Sequence, residues 1–256
     1  MGCSVAAIIS AAGSSHRMGG LKKEYRPLGS NITDDEHKPL TVLGAAVLAF
    51  ASSNRIQTVV ISVPPSAEKG EFAARVSLPQ GLLQTGAKPR IFFVPGGRTR
   101  RISVHHALSW LSVLPAEAPD FVLIHDGARP WVNTSLIERT IDAVIQHKAV
   151  VPLLPVIETP KEIDEAGFVC RHLPRSRVGT AQTPQAFAYP AILRAHEMAA
   201  EHELATHKEY TDDAEVWGEF IGPVAVIPGS PENRKITFPQ DLYGEQERGT
   251  DVWERR

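Results

Sequence analysis

Residues 5–13 read Val5-Ala6-Ala7-Ile8-Ile9-Ser10-Ala11-Ala12-Gly13, and this stretch decides the predicted fold. Its first five residues form a short, continuous apolar run, and with Ser10 they are typical of a strand buried on both faces of a sheet. Further apolar runs occur at 58–63, 90–94 and 121–125, and the helical patterns between and after them cover 39–51, 98–111 and 136–147. Strands of this kind separated by helices predict an α/β protein with a doubly wound, mostly parallel sheet.

The pattern changes after residue 149. An apolar run at 150–157 is followed by the turn Asp164-Glu165-Ala166-Gly167 and by a return strand at 168–173. This order predicts a protruding β-hairpin arm, residues 155–178, within a single domain of residues 1–256. The arm has too few apolar residues for its own core, so we expect it to pack on something else, for which a second subunit is one candidate. A helix at 189–201 and a short strand at 224–227 follow.

Composition limits the classes of function. The chain has 256 residues and a formal net charge of -2, which gives no basic excess for binding a polyanion such as nucleic acid. The two cysteines, Cys3 and Cys170, do not have the spacing of a zinc site. No apolar run reaches membrane-spanning length, and no signal peptide is recognisable. We therefore expect a cytoplasmic protein that acts on small molecules and binds neither nucleic acid nor membrane.

The loop after the first strand carries groups suited to phosphate. It reads Ala11-Ala12-Gly13-Ser14-Ser15-His16-Arg17-Met18-Gly19-Gly20-Leu21-Lys22-Lys23. Small residues and glycine let backbone N–H groups approach phosphate oxygens, and Arg17 and Lys23 add fixed positive charge that would suit a triphosphate. The loop is neither a Walker A sequence nor a dinucleotide-binding glycine turn. An ordinary surface loop rich in turn formers is the competing interpretation.

Two other strand ends also offer binding groups. Asp126 directly follows the run at 121–125, and a carboxylate at the end of a strand can bind Mg²⁺ or a ribose hydroxyl. Arg129, three residues later, can bind a phosphate through its planar guanidinium group. The pair Gly96-Gly97 follows the run at 90–94 and could let a flat base pack on the backbone, while Ser103 could donate to a phosphate from the next helix. Ordinary turns and connections are the competing interpretation of both segments.

The order of these segments resembles the 2-C-methyl-D-erythritol 4-phosphate cytidylyltransferase family of the non-mevalonate isoprenoid pathway. The resemblance runs from about residue 5 to residue 242. Its carriers are Ala11-Ala12-Gly13 with Arg17-Met18, Lys23-Glu24-Tyr25, Gly96-Gly97 with Arg100 and Ser103-Val104, His125-Asp126-Gly127-Ala128-Arg129-Pro130, Glu158-Thr159-Pro160-Lys161, Arg175, Thr183-Pro184-Gln185-Ala186-Phe187, Thr211-Asp212-Asp213-Ala214, Lys235-Ile236-Thr237 and Asp241-Leu242.

The resemblance implies a nucleotidyltransferase of the glycosyltransferase-A-like type that transfers CMP from CTP to 2-C-methyl-D-erythritol 4-phosphate and releases pyrophosphate. It also implies Mg²⁺ as cofactor and a homodimer whose arms reach across to the partner. Carried over by position, the nucleotide-binding residues are Ala11, Ala12, Gly13, Gly96, Gly97 and Ser103. The catalytic residues are Arg17, Lys23, Asp126 and Lys235, with Asp126 also the metal ligand. The residues around the acceptor are Arg129, Thr159, Arg175, Thr183 and Thr211.

Some positions depart from the family pattern, and three rival functions remain open. Ser15, Glu24, Ile102 and Glu158 replace residues that are common in the family, and the loop between Arg17 and Lys23 is one residue short. A ribitol 5-phosphate cytidylyltransferase would share most of the same segments. A nucleotide-binding regulatory protein without catalysis would fit the departures. A dinucleotide-dependent oxidoreductase would fit the α/β pattern, but the glycine fingerprint is missing after the first strand.

Overall fold

The computed structural model of the chain describes residues 2–13, 22–29, 32–34, 37–65, 67–114 and 118–242. Within these residues lie ten strands and six α-helices. The strands, β1 to β10, are Val5–Ser10, Ile56–Val63, Arg90–Pro95, Phe121–Asp126, Ala149–Pro155, Lys161–Ile163, Val169–His172, Gly179–Ala181, Gln185–Ala188 and Ala225–Pro228. The helices, α1 to α6, are Val42–Ala51, Ala67–Val76, Arg100–Ser112, Thr134–His147, Tyr189–Thr206 and Asp213–Phe220.

The main sheet has the strand order β10-β5-β9-β4-β1-β2-β3, and β8 pairs with β5. Strand β1 lies parallel to both β2 and β4, and β3 and β10 are also parallel to their neighbours. The mostly parallel sheet is thus confirmed. Strand β9 is an exception that was not predicted from the sequence, because it runs antiparallel between β4 and β5.

The two faces of the sheet are both covered by helices, which confirms the doubly wound arrangement. Successive side chains of a strand point to opposite faces. In β1, Ile9 belongs to a buried cluster with residues of α1 and α4, such as Leu43 and Ile137. Its neighbour Ile8 belongs to the opposite cluster, with residues of α3 and α5 such as Val104. Because neither face meets water, the strand sequence is continuously apolar.

Side-chain caps set where the helices begin. The Thr41 hydroxyl accepts from the Gly44 N–H at 2.9 Å, so α1 begins at Val42 rather than at the predicted residue 39. The Asn133 side chain accepts from the Leu136 N–H at 2.9 Å, so α4 begins at Thr134 rather than at the predicted residue 136. Helices α2 and α6 were not predicted from the sequence.

The predicted arm is present as a separate two-stranded hairpin. Strands β6 and β7 pair antiparallel, and the Asp164 carboxylate closes the turn by accepting from the Phe168 N–H at 2.9 Å. The apolar side chains of Ile157, Ile163 and Phe168 are 82%, 66% and 72% exposed. The arm therefore contributes almost nothing to the hydrophobic core. Among the described residues, no helix combines the length and apolar composition that crossing a membrane would require.

Candidate active site

The three strand ends singled out in the sequence meet at one edge of the sheet. Ser10 at the end of β1 lies opposite both Ser62 of β2 and Asp126 of β4. The Ala11 N–H donates to the Ser62 carbonyl at 3.0 Å, and the Gly96 N–H donates to the Val63 carbonyl at 2.7 Å. This edge is formed by strand carboxyl ends, where open α/β sheets bind their ligands.

Asp126 is the centre of a charge cluster at this edge. Lys235 Nζ lies 2.9 Å from its Oδ2, Arg129 Nε lies 3.5 Å from the same oxygen, and Arg100 Nε lies 3.1 Å from its Oδ1. Burial alone would raise the pKa of Asp126, but Lys235, Arg100 and Arg129 together hold that pKa well below its ordinary value of 3.8. Asp126 is therefore an anion at neutral pH, surrounded by three cations.

His125 fixes the backbone that carries Asp126. Its Nε2 lies 3.1 Å from the Arg129 carbonyl, which can only accept, so this nitrogen carries the hydrogen. Its Nδ1 then accepts from the Thr183 hydroxyl at 3.0 Å, and the same hydroxyl oxygen accepts from the Asp126 N–H at 3.1 Å. This tautomer, assigned from the hydrogen bonds, ties β4 to the loop before β9 directly under the carboxylate.

The neutral state of His125 makes stability depend on pH. Burial lowers the pKa of His125 from 6.5 to about 4. Between these values the unfolded chain binds a proton that the folded protein does not, so stability falls as pH drops from 6.5 to 4, by about 3 kcal/mol from this group. Urea unfolding across this range should show that loss, and His125→Gln should be less pH-dependent by the same amount. Equal pH slopes for the two proteins would contradict the assignment.

Lys235 reaches the cluster because the segment around it is anchored by buried amides. The Asn233 side chain is fully buried and donates to the Thr183 carbonyl at 2.7 Å. Its backbone carbonyl accepts from Arg129 Nη1 at 2.8 Å and from Gln182 Nε2 at 3.2 Å. These bonds hold a segment without regular structure against the end of β4.

Lys23 lies beside this segment. Its ammonium donates to the Ile236 carbonyl at 2.7 Å, next to Lys235. Lys22, which was not singled out from the sequence, donates to the carbonyls of Ala11 and Gly13, and burial lowers its pKa. The structure thus places Lys23 next to the charge cluster and Lys22 on the loop after β1. Arg17 and Ser15 lie outside the described residues.

The Gly96-Gly97 loop packs closely on the loop after β1. A Cβ on Gly96 would collide with the Ala12 Cβ and lie 2.8 Å from the Ser103 hydroxyl oxygen, so only glycine fits. The Ser103 hydroxyl accepts from the Gly97 N–H at 3.0 Å and donates to the Thr99 carbonyl at 2.9 Å. In this structure Ser103 therefore shapes the loop, and its single hydroxyl hydrogen already has an acceptor.

A cavity of about 220 Å³ opens above Asp126. Its lining residues come from the ends of β4 and β8, the loop that leads into β9, the start of β9, the starts of α3 and α6, and the segment around Lys235. They are Arg100, Asp126, Arg129, Ala181, Gln182, Thr183, Gln185, Thr211, Asp212 and Lys235. The predicted acceptor residues Arg129, Thr183 and Thr211 are thus brought together. Thr159 and Arg175 are not, because both are exposed on the arm, where Arg175 Nη1 donates to the Ile157 carbonyl at 2.8 Å.

Gln185 and Arg100 line the cavity, although neither was assigned a role from the sequence. The Gln185 amide oxygen accepts from the N–H groups of Asp213 and Ala214 at 3.1 and 2.9 Å, and its amide nitrogen donates to Asp212 at 2.9 Å. This side chain thereby fixes the start of α6 on β9. A buried glutamine in an apolar strand and an arginine at a helix start were the signals that could have found them.

The residues at this edge fit a magnesium ion that is held mainly by the phosphates of a bound substrate rather than by the protein. The described residues contain no group of three or more Asp, Glu, His or Cys that could cage a metal. Mg²⁺ is commonly bound through one or two carboxylates and the phosphates of a substrate, with water completing its shell. Asp126 can supply one such carboxylate at the open edge of the cavity.

A family model for 2-C-methyl-D-erythritol 4-phosphate cytidylyltransferase matches residues 5–246. The chain belongs to this family. It is 36% identical over 242 residues to the 2-C-methyl-D-erythritol 4-phosphate cytidylyltransferase of Pelotomaculum thermopropionicum, covering 93% of this chain and 91% of the relative. It is 35% identical to the bifunctional enzyme IspD/IspF of Bartonella henselae, again over 93% of this chain. The chain spans about half of that bifunctional relative, 55% of its length.

Solved structures of the family share this fold. The 2-C-methyl-D-erythritol 4-phosphate cytidylyltransferase of Thermus thermophilus matches with a TM-score of 0.66 and 30% identity, over 93% of this chain and 95% of that one. The 4-diphosphocytidyl-2C-methyl-D-erythritol synthase of Anaerococcus prevotii matches with a TM-score of 0.70 and 27% identity, over 94% and 95% of the two chains. The mixed, mostly parallel sheet with flanking helices is thus the nucleotidyltransferase-like α/β fold of these structures.

Proposed function

We propose that this protein transfers CMP from CTP to 2-C-methyl-D-erythritol 4-phosphate and releases pyrophosphate. The observation that carries the proposal is the cluster of Arg100, Arg129 and Lys235 around the Asp126 carboxylate, at the cavity on the strand ends. Such a cluster in a chain of this family provides positive charge where two polyanions would meet. The enzyme activity, its substrates and its partners belong to this proposal.

The reaction requires the protein mainly to position the two substrates and to stabilise negative charge. The attacking oxygen of a phosphate monoester is already ionised at neutral pH, so no general base is needed. Attack on the α-phosphorus of CTP forms the new P–O–P bond and breaks the bond to pyrophosphate. Negative charge increases on the oxygens of the α-phosphate as the bonds change, and fixed cations stabilise that charge. We assign this task to Lys235, Lys23 and Arg17.

The glycine loops are assigned to the nucleotide. Gly96 and Gly97 pack so closely on Ala12 and Ile102 that neither position has room for a side chain. We assign the partly exposed backbone at Gly97 as the surface on which the flat base packs. Ala11, Ala12 and Gly13 carry backbone groups at the sheet edge that can approach the triphosphate. Ser103 supports this surface by holding Gly97, and we assign it to the nucleotide site on that basis.

Magnesium is part of the proposal as the cofactor. Asp126 would hold it together with the phosphates of CTP, and it would neutralise phosphate charge there. In the structure, the Asp126 Oδ2 is engaged by Lys235 and Arg129. Binding of the substrates would give both cations phosphate partners, which leaves this oxygen available.

We further propose a homodimer in which the arm, residues 155–178, completes the acceptor site of the partner. The support is twofold. The arm exposes Ile157, Ile163 and Phe168 to solvent, and exposed apolar patches often mark interfaces. The assigned acceptor residues Thr159 and Arg175 lie on this arm and do not line the cavity of their own subunit.

The arm proposal predicts a joint loss of assembly and acceptor binding. Phe168→Glu should shift the protein toward monomer in light scattering, because it places charge in an apolar interface. It should also raise the acceptor KM, by about 10-fold or more if one 1.4 kcal/mol contact is lost, with a smaller change in the CTP KM. Thr159→Ala and Arg175→Ala should likewise raise the acceptor KM more than the CTP KM. Leu204→Glu, at an 84% exposed site on α5, is the matched control. A dimer with unchanged KM values would refute the arrangement.

We place the protein in the cytoplasm, without a nucleic-acid or membrane partner. Cys3 and Cys170 are both exposed and unpaired, which suits a reducing compartment.

The deciding experiment is a pyrophosphate-release assay with CTP, UTP and ATP against several polyol phosphates. We expect turnover with CTP and 2-C-methyl-D-erythritol 4-phosphate. Faster turnover of ribitol 5-phosphate would reassign the acceptor. Background release with every acceptor, together with CTP binding, would make the protein a nucleotide-binding regulator.

A further inference from the structure

Arg100, the first residue of α3, joins two carboxylates that are far apart in sequence. Its Nε lies 3.1 Å from Asp126 Oδ1, and its Nη2 lies 2.7 Å from Asp213 Oδ2. Lys235 and Arg129 both contact the other oxygen of Asp126, Oδ2. The two oxygens of Asp126 thus face different cations, and Oδ1 faces Arg100.

Asp213 is itself held rigidly. It is 1% exposed, it begins α6, and its backbone N–H donates to the Gln185 side chain at 3.1 Å. The fully buried His196 of α5 places its Nε2 3.3 Å from the second oxygen of Asp213. Asp213 is therefore a fixed anion that binds Arg100 through a different nitrogen from the one that faces Asp126.

The placement of Asp213 has two consequences for Asp126. A guanidinium that bonds two fixed carboxylates through different nitrogens has its plane defined, and it therefore orients the Asp126 oxygen it contacts. The negative charge of Asp213 also offsets part of the positive charge of Arg100, so a cation beside Asp126 meets less repulsion than it would if Arg100 had no second partner.

We propose that Asp213 is a positioning residue for the reaction, acting through Arg100 to orient Asp126 and to offset the positive charge of Arg100 where Asp126 would hold a magnesium-bound nucleotide. This inference rests on the proposed function, because it takes CTP with its metal as the ligand at Asp126. A buried ion pair that only ties α3 to α6 would add stability without this effect.

The next residue of α3 provides a matched comparison. Arg101 is also buried and pairs with Glu203 of α5, with Nη2 at 2.7 Å from the carboxylate. This pair ties α3 to a neighbouring helix as the Arg100–Asp213 pair does. Neither Arg101 nor Glu203 contacts Asp126 or lines its cavity.

The test is the rise in Tm caused by CTP, measured once with Mg²⁺ and once with EDTA, in the full chain. For the unmodified protein we expect a larger rise with Mg²⁺, because a ligand that binds only the folded state stabilises it more when it binds more tightly. Asp213→Asn should keep the rise in EDTA and lose most of the magnesium-dependent part. Its kcat/KM should fall about 10- to 100-fold, as for other residues that orient a metal ligand. Glu203→Gln should lower the Tm without ligand but keep both rises and the rate.

The outcomes separate this inference from the proposed function. If Asp213→Asn keeps the magnesium-dependent rise, or if the unmodified protein shows equal rises with Mg²⁺ and EDTA, the inference is overturned. If no acceptor is turned over, the proposed function fails, while the CTP measurement still tests Asp213. If Asp213→Asn does not fold, Arg100→Lys replaces it: an ammonium keeps the charge but cannot bond both carboxylates in one fixed plane. A magnesium-dependent rise equal to that of the unmodified protein in Arg100→Lys would then overturn the inference.

Discussion

Replacing Lys235 by methionine is expected to lower kcat by about 100- to 1,000-fold, the range seen when one group that stabilises transition-state charge is removed. Methionine keeps much of the length and apolar character of the side chain and removes the ammonium. Lys235 lies 2.9 Å from Asp126 and is 39% exposed, so its ammonium is accessible from the cavity. We expect the reacting phosphate to take the place of Asp126 as its partner.

Single-turnover pyrophosphate release with saturating CTP and acceptor would measure this effect. Lys69→Met is the matched control, because it removes the same charge from an exposed position on α2, away from the cavity. The control should keep the rate of the unmodified protein. A Lys235→Met protein within about tenfold of that rate would show less than the 1.4 kcal/mol of stabilisation that a tenfold change represents, and Lys235 would then have no direct role at the reacting phosphate.

The fold was predictable where burial alone dictates sequence. The strands β1, β2 and β4 lie in the middle of a parallel sheet, so both faces demand apolar residues and the runs are continuous. Because parallel strands share a carboxyl edge, their order along the chain is enough to bring Asp126 and Gly96 to the same edge. The hairpin arm was also predictable, because its turn residues, Asp164-Glu165-Ala166-Gly167, are distinctive.

Other parts of the site had no local signal. Strand β9 has four residues, two of them alanine, and its pairing with β4 and β5 comes from tertiary contacts rather than from periodicity. Helix α6 has eight residues and depends on the Asp212 cap and on Gln185. Lys235 lies in a segment whose position is set by buried amide bonds from Asn233. Short elements that are fixed by distant partners leave too little pattern in the sequence to be recognised.

The same limit explains why Arg100 and Asp213 were missed as a pair. They are brought together because α3 and α6 both pack against α5, at a site where Asp213 is almost completely buried. In the sequence, an aspartate in the first turn of a helix is an ordinary residue, because it complements the helix dipole. An arginine at the start of another helix is less expected there, but it does not reveal its partner. Only their distance shows that they share one charge network with Asp126.

Asp126→Asn is expected to separate binding from turnover. Asparagine keeps the size of the side chain and one acceptor oxygen but leaves Lys235, Arg129 and Arg100 without its negative charge. A polyanion should then bind at least as well as before, so the rise in Tm caused by CTP in EDTA should persist or increase. The magnesium-dependent part of that rise should disappear, and kcat should fall about 100- to 1,000-fold.

Stability without ligand should fall as well, because removing one partner from a buried ion cluster costs about 3–5 kcal/mol. Asp142→Asn is the control, since that carboxylate is 63% exposed and its pair with Arg55 lies on the surface, where such pairs contribute little. If Asp126→Asn binds CTP more weakly in EDTA, the Asp126 carboxylate itself orients the nucleotide. The three cations around Asp126 would then not be what attracts CTP. If binding persists while turnover is lost, Asp126 acts on the metal-bound form of the nucleotide, as the arrangement of its two oxygens implies.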